Sequence, residues 1–302
     1  MLELCFSENN LPLNFPLSQK HILLFLAWLT KRERSASTIN SYLAALRQLH
    51  LSLGLEIPTI RTDLINQLLT GKKNMEFCNP PKKPTRLPIT PTALRLLKLA
   101  ISKEAFNKHD KRLIWFLATL AFHGSFRMGE LLTKKTSAYD PSFTLLKNDL
   151  HLSSSQTNGT PHQSIEVALR SSKSSARETV IVDIFATNSD LCPVNAYKKW
   201  DRTSTTPSLS PIFRFSSGKL VTAAWLNLKL KTWLNSSIHG NLGYFTGHSF
   251  RAGVPTILGS LGFEDDELKS IGRWSSRAYE IYTKQPRTKR RAIARAFGNL
   301  NL

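Results

Sequence analysis

Cysteine is scarce in this chain, with Cys5, Cys78 and Cys192 as its three copies in 302 residues. They are odd in number and share no common spacing, so they indicate neither a disulfide framework nor a zinc site, and they suit a reducing compartment. A glycine-rich nucleotide-binding loop and a metal-ligand motif are also missing from the sequence. We therefore expect a function that uses neither a metal nor a cofactor.

Long apolar runs are absent as well. The longest, "HILLFLAWL" at residues 21–29, is far shorter than the roughly 20 residues that a membrane-spanning helix needs. It also lacks the position and the cleavage site of a signal peptide. The sequence predicts no membrane segment.

Acidic residues are few: 21 Asp and Glu stand against 41 Lys and Arg, which gives a formal net charge of +20. The content of hydrophobic residues, 41%, is normal for a folded protein, and the length suffices for two domains. A surface this basic is either simply solvated or is the footprint of a polyanion, because Lys and Arg displace the counterions around phosphates. The charge favours a nucleic acid as the partner.

The first part of the chain has a helical pattern. Residues 35–54 carry apolar side chains at helical spacing after a capping serine, Ser35 or Ser37, which predicts one helix. Residues 62–73 predict a shorter helix that ends at Gly71.

Residues 72–89 have no such periodicity. They contain four prolines and five Lys or Arg residues, a composition that predicts an extended basic linker. We therefore expect a helical DNA-binding domain over residues 1–71 and a larger domain over residues 90–285. Residues 286–302 predict a short basic helix or tail, which could dock on its own domain or on a neighbouring copy.

The larger domain combines helices with a few strands. Thr90 and Pro91 form a cap and a first helical position, and residues 111–124 are apolar nearly all round, which is typical of a buried helix. Three strand-like stretches follow, at residues 143–152, 164–170 and 178–184. The last two flank a polar turn and predict a β-hairpin, so the expected fold is mainly α with a small antiparallel β-sheet.

The motif "GHSFRAG" places His248 and Arg251 three residues apart at a predicted helix start. Both side chains then project from one face, beside free N–H groups and the positive end of the helix dipole, which together suit a phosphate. The alternative is a packed histidine next to an arginine that serves a local carboxylate.

The motif "HGSFRMGELL" places Arg127 at the start of another helix, directly after the buried one. Glu130 follows within reach of its own helix start or of a neighbouring arginine. A second arginine that holds a phosphate would belong on such a rigid element. An ordinary surface Arg–Glu pair is the alternative.

Three further residues could complete a site for phosphoryl transfer. Lys173 lies at the tip of the predicted hairpin, where it is either solvated or able to protonate a departing alkoxide. Tyr279 and Tyr282 follow Trp274, and a tyrosine needs nearby cations to act as a nucleophile because its pKa is near 10. Planar guanidinium groups match phosphate oxygens bidentately, so this set suits phosphoryl transfer without a metal.

This ordered set of residues resembles that of the tyrosine recombinase, or phage integrase, superfamily. The residues concerned are Arg127, Lys173, His248, Arg251, Trp274 and Tyr282. The resemblance covers nearly the whole chain: the first helices resemble the core-binding domain, "RMGELL" the first-arginine box and "LCPVNAYKKW" the segment after the lysine hairpin. Within the superfamily, "GRWSSRAYEIY" is most similar to recombinases of Crypton and DIRS-type mobile elements of eukaryotes.

The resemblance implies a mechanism. Tyr282 would attack the scissile phosphate and form a 3′-phosphotyrosyl intermediate with a free 5′-hydroxyl, which Lys173 would protonate. The two arginines and His248 would hold the phosphate, and Glu130 would orient Arg127. ATP is not required, because the covalent intermediate keeps the bond energy.

The resemblance also implies partners and a location. Members close two domains as a C-shaped clamp around double-stranded DNA and act as synaptic tetramers. The likeness to eukaryotic mobile elements, with the basic cluster Lys289–Arg291, indicates the nucleus, although such a cluster is more often a solvated or DNA-facing tail. For an element from another host, the location would be the cytoplasm, with the nucleoid.

One position departs from the family pattern. Phage-type members carry a His or Trp directly after the glycine and nine residues before the nucleophile. Counting back from Tyr282 gives Arg273, with Trp274 one residue later. Either Trp274 takes the place of this His or Trp after a small shift of the helix, or Arg273 supplies the hydrogen-bond donor of that position. The same count favours Tyr282 over Tyr279 as the nucleophile.

Two other functions are compatible with this sequence. A DNA-binding protein that has kept the fold and lost cleavage is one, and Arg273 at the His/Trp position favours it. A type IB topoisomerase, which shares the chemistry but works as a monomer, is the other.

Overall fold

The computed structural model describes residues 1–56, 62–78, 85–157, 160–170, 179–235 and 243–274. The chain divides into two compact units, Met1–Lys83 and Pro84–Leu302. Among the described residues, no helix has both the length and the apolar character that crossing a bilayer requires.

The described part of the first unit is helical. Its helices are α1 Leu2–Glu8, α2 Gln19–Lys31, α3 Ala36–Ser52 and α4 Asp63–Cys78. Ile22, Phe25 and Leu29 of α2 are buried in one apolar cluster with Ile39 and Leu43 of α3. Such spacing is what an amphipathic helix needs to bury one face.

Of the two serines that could cap α3, the structure uses Ser35. Its hydroxyl oxygen accepts a hydrogen bond from the backbone N–H of Thr38 at 3.2 Å. This bond satisfies one of the helix donors that have no partner within the helix.

The prediction that a helix ends at Gly71 is wrong, because α4 continues to Cys78. A glycine costs a helix only about 1 kcal/mol relative to alanine and does not by itself stop it. The extra turns bring the Glu76 carboxylate to the backbone N–H of Ala36 at 2.8 Å, which ties α4 to the start of α3. Within the predicted linker, residues 72–78 are thus helical; residues 79–84 lie outside the described residues.

The second unit combines helices with two small sheets. Its helices are α5 Pro91–Lys103, α6 Lys108–His123, α7 Met128–Leu131, α8 Pro193–Asp201, α9 Ala223–Asn235, α10 Gly247–Leu261 and α11 Asp265–Gly272. Its strands are β1 Thr85–Arg86, β2 Leu150–Thr157, β3 Thr160–Leu169, β4 Val180–Phe185 and β5 Gly243–Tyr244. The strands β2, β3 and β4 form an antiparallel sheet in that order, and β1 pairs with β5 in parallel.

Helix α6 runs through the core of this unit and confirms the predicted buried helix. Its residues from Leu113 to Phe122 are buried apart from a half-buried Trp115, and it packs against α5, α8 and α10. The rings of Phe116 and Trp200 of α8 stack with centroids 5.4 Å apart. The predicted Thr90 cap of α5 is also confirmed, since its hydroxyl accepts from the Ala93 N–H at 3.2 Å.

The β-hairpin predicted from the last two strand-like stretches is confirmed by the pairing of β3 with β4. The prediction for the first stretch, residues 143–152, is wrong in its bounds, because the strand begins at Leu150 and continues to Thr157. Residues 147–149 form a 3₁₀ turn instead. There the buried Asp149 carboxylate accepts from the Leu146 N–H at 2.8 Å and binds Arg170, which favours the turn over a straight strand.

The predicted linker is wrong at its end too, because Thr85 and Arg86 form strand β1. The residues after β1 also bond to neighbouring elements. The Leu87 N–H donates to the carbonyl of Tyr244 at 3.0 Å, and the Ile89 N–H donates to the carbonyl of Ser249 at 2.9 Å. These bonds fasten the beginning of the second unit to β5 and to the first turn of α10.

We expect Gly253→Ala to destabilise the second unit by about 1–3 kcal/mol, the usual cost of overpacking. A Cβ on Gly253 would lie 2.3 Å from the backbone oxygen of Ile89, which cannot move as a side chain could. Gly129 is the matched control, because its Cβ would meet nothing within 4 Å. Urea unfolding of both variants tests this, and equal stabilities would contradict the close approach of α10 to Ile89.

Candidate active site

Arg127 follows a tight turn between α6 and α7. Gly124 ends α6, and a Cβ there would lie 2.1 Å from the buried ring of Phe126, so only glycine lets this ring fold back. Arg127 then occupies the cap position of α7 with 27% of its side chain exposed. The turn thereby anchors the backbone of Arg127 in the core and leaves part of its guanidinium accessible.

Glu130 makes both of the contacts that the sequence suggested for it. Its Oε2 accepts from the backbone N–H of Arg127 at 2.8 Å, and its Oε1 accepts from Arg127 Nη1 at 2.8 Å. Arg273 Nη2 donates to Oε2 at 3.0 Å from the other side. Because the Glu130 side chain is only 4% exposed, two guanidinium groups share one buried carboxylate.

His248 and Arg251 lie in the first turns of α10, as their motif predicts. Thr246 caps this helix, with its hydroxyl accepting from the His248 N–H at 3.2 Å, and Asn227 Oδ1 accepts from the N–H of Gly247 at 2.7 Å. His248 is exposed, whereas Arg251 is only 1% exposed. A ligand in solution can therefore reach the His248 side chain, whereas the Arg251 side chain is enclosed by protein.

The guanidinium of Arg251 bridges two backbone carbonyls. Its Nη1 donates to the Ser125 oxygen at 2.7 Å, and its Nη2 donates to the Gly272 oxygen at 2.5 Å. The Trp274 ring lies over it, with its centroid 4.9 Å from Cζ, in the geometry of a cation–π contact. Arg251 thus connects the turn before Arg127 to the end of α11.

Several cations gather around His248. Burial lowers the pKa of the His248 imidazole, and the positive charges of Arg86, Arg251 and Arg127 lower it further. One side of the ring is packed against the protein while the rest is open to solvent. The packed side explains why burial lowers the pKa although the residue as a whole is exposed. At neutral pH His248 is consequently a neutral donor and acceptor amid positive charge.

Arg86 is the site residue that sequence reasoning missed. It was assigned to the linker, but strand β1 places it opposite Tyr244 in the register with β5. Its guanidinium carbon is 6.0 Å from the centroid of the Tyr244 ring. A two-residue strand has no periodicity to detect, and the only available signal was the basic composition of this segment.

Arg273 and Trp274 take different positions at the end of α11. Arg273 is the cap residue, with a left-handed backbone (φ 52°), and its guanidinium turns to Glu130 and to the carbonyl of Gly124 at 2.9 Å. Trp274 packs back over Gly272, where a Cβ would lie 1.9 Å from the ring. Burial lowers the pKa of the Arg273 guanidinium, which the Glu130 carboxylate partly offsets.

Three predicted site residues, Lys173, Tyr279 and Tyr282, lie outside the described residues, as does the predicted tail at 286–302. The structure brings together Arg127, Glu130, His248, Arg251 and the Arg273–Trp274 pair. Within the described ranges no group of three or more His, Cys, Asp or Glu side chains is arranged to hold a metal ion. The assembled part of the site thus consists of two arginines on one buried carboxylate, with a third arginine and a neutral histidine beside them.

No family model and no curated protein matches this chain. Solved structures do match it along nearly its whole length. A post-cleavage complex of the XerH site-specific recombinase with palindromic difH DNA is 16% identical, with a TM-score of 0.62 over 99% of this chain and 78% of that one. The Tn1549 transposon integrase in complex with transposon right end DNA is 13% identical, with a TM-score of 0.58 over 97% and 90% of the two chains.

These neighbours are tyrosine recombinases, and the chain shares their fold. The predicted fold class, mainly helical with a small antiparallel sheet, is thereby confirmed. At such low identity the likeness establishes the fold, whereas function has to be argued from the site.

Proposed function

We propose that this protein is a site-specific DNA recombinase that cuts and rejoins DNA strands through a tyrosine nucleophile. One observation carries the proposal: Arg127, His248 and Arg251 converge around the turn at residues 124–127, within a fold shared with tyrosine recombinases. A histidine at a helix start, with two arginines close enough to lower its pKa, suits a phosphodiester.

In the proposed reaction the Tyr282 hydroxyl loses its proton to water, its oxygen forms a bond to the scissile phosphorus, and the bond from phosphorus to the 5′ oxygen breaks. Lys173 gives its proton to that leaving oxygen. The guanidinium of Arg127 stabilises the charge that develops on the non-bridging oxygens, which is the largest contribution a preorganised site makes. Attack by the 5′-hydroxyl of another strand on the phosphotyrosyl bond then reverses the chemistry without an energy source.

We further propose that the partner is double-stranded DNA, that the working assembly is a synaptic tetramer, and that the reaction integrates or excises a mobile element in a nucleus. The net charge of +20 supports a DNA partner. The matched structures of XerH and of the Tn1549 integrase contain DNA, and the second comes from a transposon. The mobile-element and nuclear assignments rest on the resemblance of "GRWSSRAYEIY" to Crypton and DIRS-type recombinases.

A nicked suicide substrate tests the proposal. The nick lets the short leaving fragment diffuse away, so that a covalent protein–DNA adduct accumulates and survives denaturation. We expect the adduct with the unaltered protein and with Tyr279→Phe, and none with Tyr282→Phe. Candidate element ends from the flanking DNA are the substrates to try. DNA binding without an adduct on any of them would contradict the enzymatic proposal.

One observation favours a second function, that of a DNA-binding protein without cleavage. Arg251 is 1% exposed, and both of its terminal nitrogens bind backbone carbonyls. An arginine used in this way stabilises the fold whether or not it reaches a phosphate. The suicide substrate separates the two functions, since only the enzyme forms an adduct.

We expect DNA binding to take up as much as one proton per protein below about pH 7. The charges of Arg86, Arg251 and Arg127 contribute to the low pKa of His248 in the free protein, and a bound phosphate offsets them. The pKa of His248 is therefore higher in the complex, so affinity rises as pH falls through this window, by about tenfold for each unit of pKa gained. Calorimetry in two buffers with different ionisation enthalpies measures the uptake.

The control for this titration is His123, a half-buried histidine whose ring Nε2 is 3.1 Å from the carbonyl oxygen of Leu191. Burial lowers its pKa as well, but the arginines are not among the causes. His248→Gln should abolish the uptake and His123→Gln should preserve it. Undiminished uptake in His248→Gln would refute the phosphate contact.

A further inference from the structure

The end of α11 is fastened to the turn that carries Arg127 by two guanidinium groups. Arg251 binds the carbonyls of Ser125 and Gly272, and Arg273 binds the carbonyl of Gly124 and the carboxylate of Glu130. Arg273 and Glu130 are 143 residues apart in the chain. The segment that leads to the tyrosines therefore starts from a point fixed to the Arg127 turn.

The backbone of Arg273 indicates that its side chain is needed there. It ends α11 in the left-handed region, with φ 52° and ψ 48°. Glycine is the usual residue at such a helix end, because the Cβ of any other residue is strained in this conformation. A non-glycine residue persists where its surroundings compensate, and here the guanidinium contacts do so.

Arg273 and Arg127 differ in how far their side chains are exposed to solvent. The Arg273 side chain is 17% exposed, and both of its terminal nitrogens donate to protein groups. The Arg127 side chain is 27% exposed and gives one N–H to the Glu130 side chain, out of the five that a guanidinium carries. Arg127 is therefore the better placed of the two to meet a phosphate.

Charge explains why a second arginine is useful at this position. A Glu130–Arg127 pair alone would be neutral and would stabilise only weakly the charge that develops on the phosphate in the transition state. With Arg273 on the other side of the carboxylate, the cluster carries a net charge of about +1, and each Glu130 oxygen has a guanidinium donor. The positive charge of Arg273 thus offsets the negative charge of the Glu130 carboxylate, which orients Arg127.

We propose that Arg273 is a positioning residue, which holds Glu130 and through it Arg127 in the geometry for strand cleavage, rather than a donor to the phosphate itself. The inference rests on the proposed function for its catalytic part. Phage-type members of the superfamily carry His or Trp at this position. Here we assign it to an arginine that does not contact the phosphate and acts through Glu130 on Arg127.

The kinetic test uses Arg273→Met, Arg273→Lys, Glu130→Gln and the double variant Arg273→Met/Glu130→Gln. We expect Arg273→Met to lower the rate of adduct formation at saturating nicked DNA by about 10–100-fold, because small misplacements of a reacting group have effects of this size. The DNA concentration for half-saturation should stay within about twofold. Arg273→Lys should recover part of the rate. The double variant should be no slower than the slower single variant, since both changes break one contact.

A second measurement needs neither DNA nor activity. Hydrogen exchange of the backbone amides at residues 124–131 should become faster in Arg273→Met, because the turn loses its contacts to Gly124 and Glu130. Lys229→Met is the matched control: its partner Glu104 is likewise held by a second donor, the indole of Trp233 at 2.6 Å. Lys229 lies on α9 and Glu104 directly follows α5, so neither belongs to the Arg127 turn. It should change neither the exchange at 124–131 nor the adduct rate.

The outcomes separate the two proposals. If the unaltered protein forms no adduct, the proposed function fails, and the exchange data alone decide whether Arg273 braces the turn. If hydrogen exchange at residues 124–131 is unchanged in Arg273→Met, the inference that Arg273 holds the turn is overturned. Additive losses in the double variant, or a large rise in the half-saturating DNA concentration, would show that Arg273 acts on DNA independently of Glu130 and would overturn the inference as well.

Discussion

Arg127→Lys should slow covalent adduct formation by about 10²–10³-fold, while duplex binding changes by less than about tenfold. A lysine keeps the charge but cannot place two parallel N–H groups on a carboxylate or a phosphate. Loss of one preorganised donor to the transition state has this magnitude. We expect binding to survive because the 41 basic residues offer many other cations to the DNA backbone. Single-turnover assays with the nicked substrate and gel-shift titrations measure the two quantities.

Arg95→Lys is the matched control for this experiment. Arg95 also pairs with a carboxylate, that of Asp190 at 3.3 Å, but it is 54% exposed and lies on α5. Its replacement should leave the cleavage rate unchanged. If Arg127→Lys cleaved at the parental rate, Arg127 would not contact the phosphate.

Arg251→Lys should reduce cleavage as strongly, and it should also lower the free energy of unfolding by about 1–3 kcal/mol. A lysine cannot span the carbonyls of Ser125 and Gly272, so one buried acceptor loses its partner. Unfolding in urea distinguishes this variant from Arg127→Lys, which should lower the free energy of unfolding less because the Arg127 side chain is 27% exposed. Parental stability and parental cleavage together would show that Arg251 has neither function.

Duplex affinity should fall by about three to five decades between 50 and 200 mM salt, the largest effect expected for this protein. A protein that neutralises roughly six to ten phosphates releases a comparable number of counterions, and the affinity then follows the salt concentration steeply. The excess of basic residues makes such a footprint possible. Fluorescence anisotropy over a salt series gives the slope directly.

Arg86 offers a local check on the salt dependence. If Arg86 contacts a phosphate next to His248, Arg86→Met should reduce the salt slope by about one. Arg95→Met removes the same charge elsewhere and should leave the slope nearly unchanged, since Asp190 already occupies that guanidinium. A flat salt response of the unaltered protein would argue against a DNA-binding function of any kind.

The sequence predicted those parts of the fold that depend on local rules. The caps Ser35, Thr90 and the start of α10 follow from side chains that bond to backbone within three residues. The buried helix α6 follows from apolar residues on all of its faces. Arg127 and His248 were found for the same reason, because each lies at a helix start that its neighbours specify.

The sequence did not predict the features that depend on contacts between residues far apart in the chain. Helix α4 passes Gly71 because Glu76 reaches Ala36 at the start of another helix. Arg86 joins the site through a strand that exists only because β5 pairs with it. The contact of Arg273 with Glu130 spans most of the second unit in sequence. A single sequence specifies residues and spacing, and it does not specify which distant segments meet.

The attachment of β1 has a practical consequence for dissecting this protein. Composition suggested that the larger domain starts at Thr90, but Leu87 and Ile89 donate backbone hydrogen bonds to Tyr244 and Ser249. A fragment cut at Thr90 would leave the edge of β5 and the first turn of the His248 helix without these partners. Limited proteolysis or recombinant truncation should therefore be aimed upstream of Thr85, so that the shortened protein retains strand β1 and the backbone hydrogen bonds that Leu87 and Ile89 make to β5 and α10.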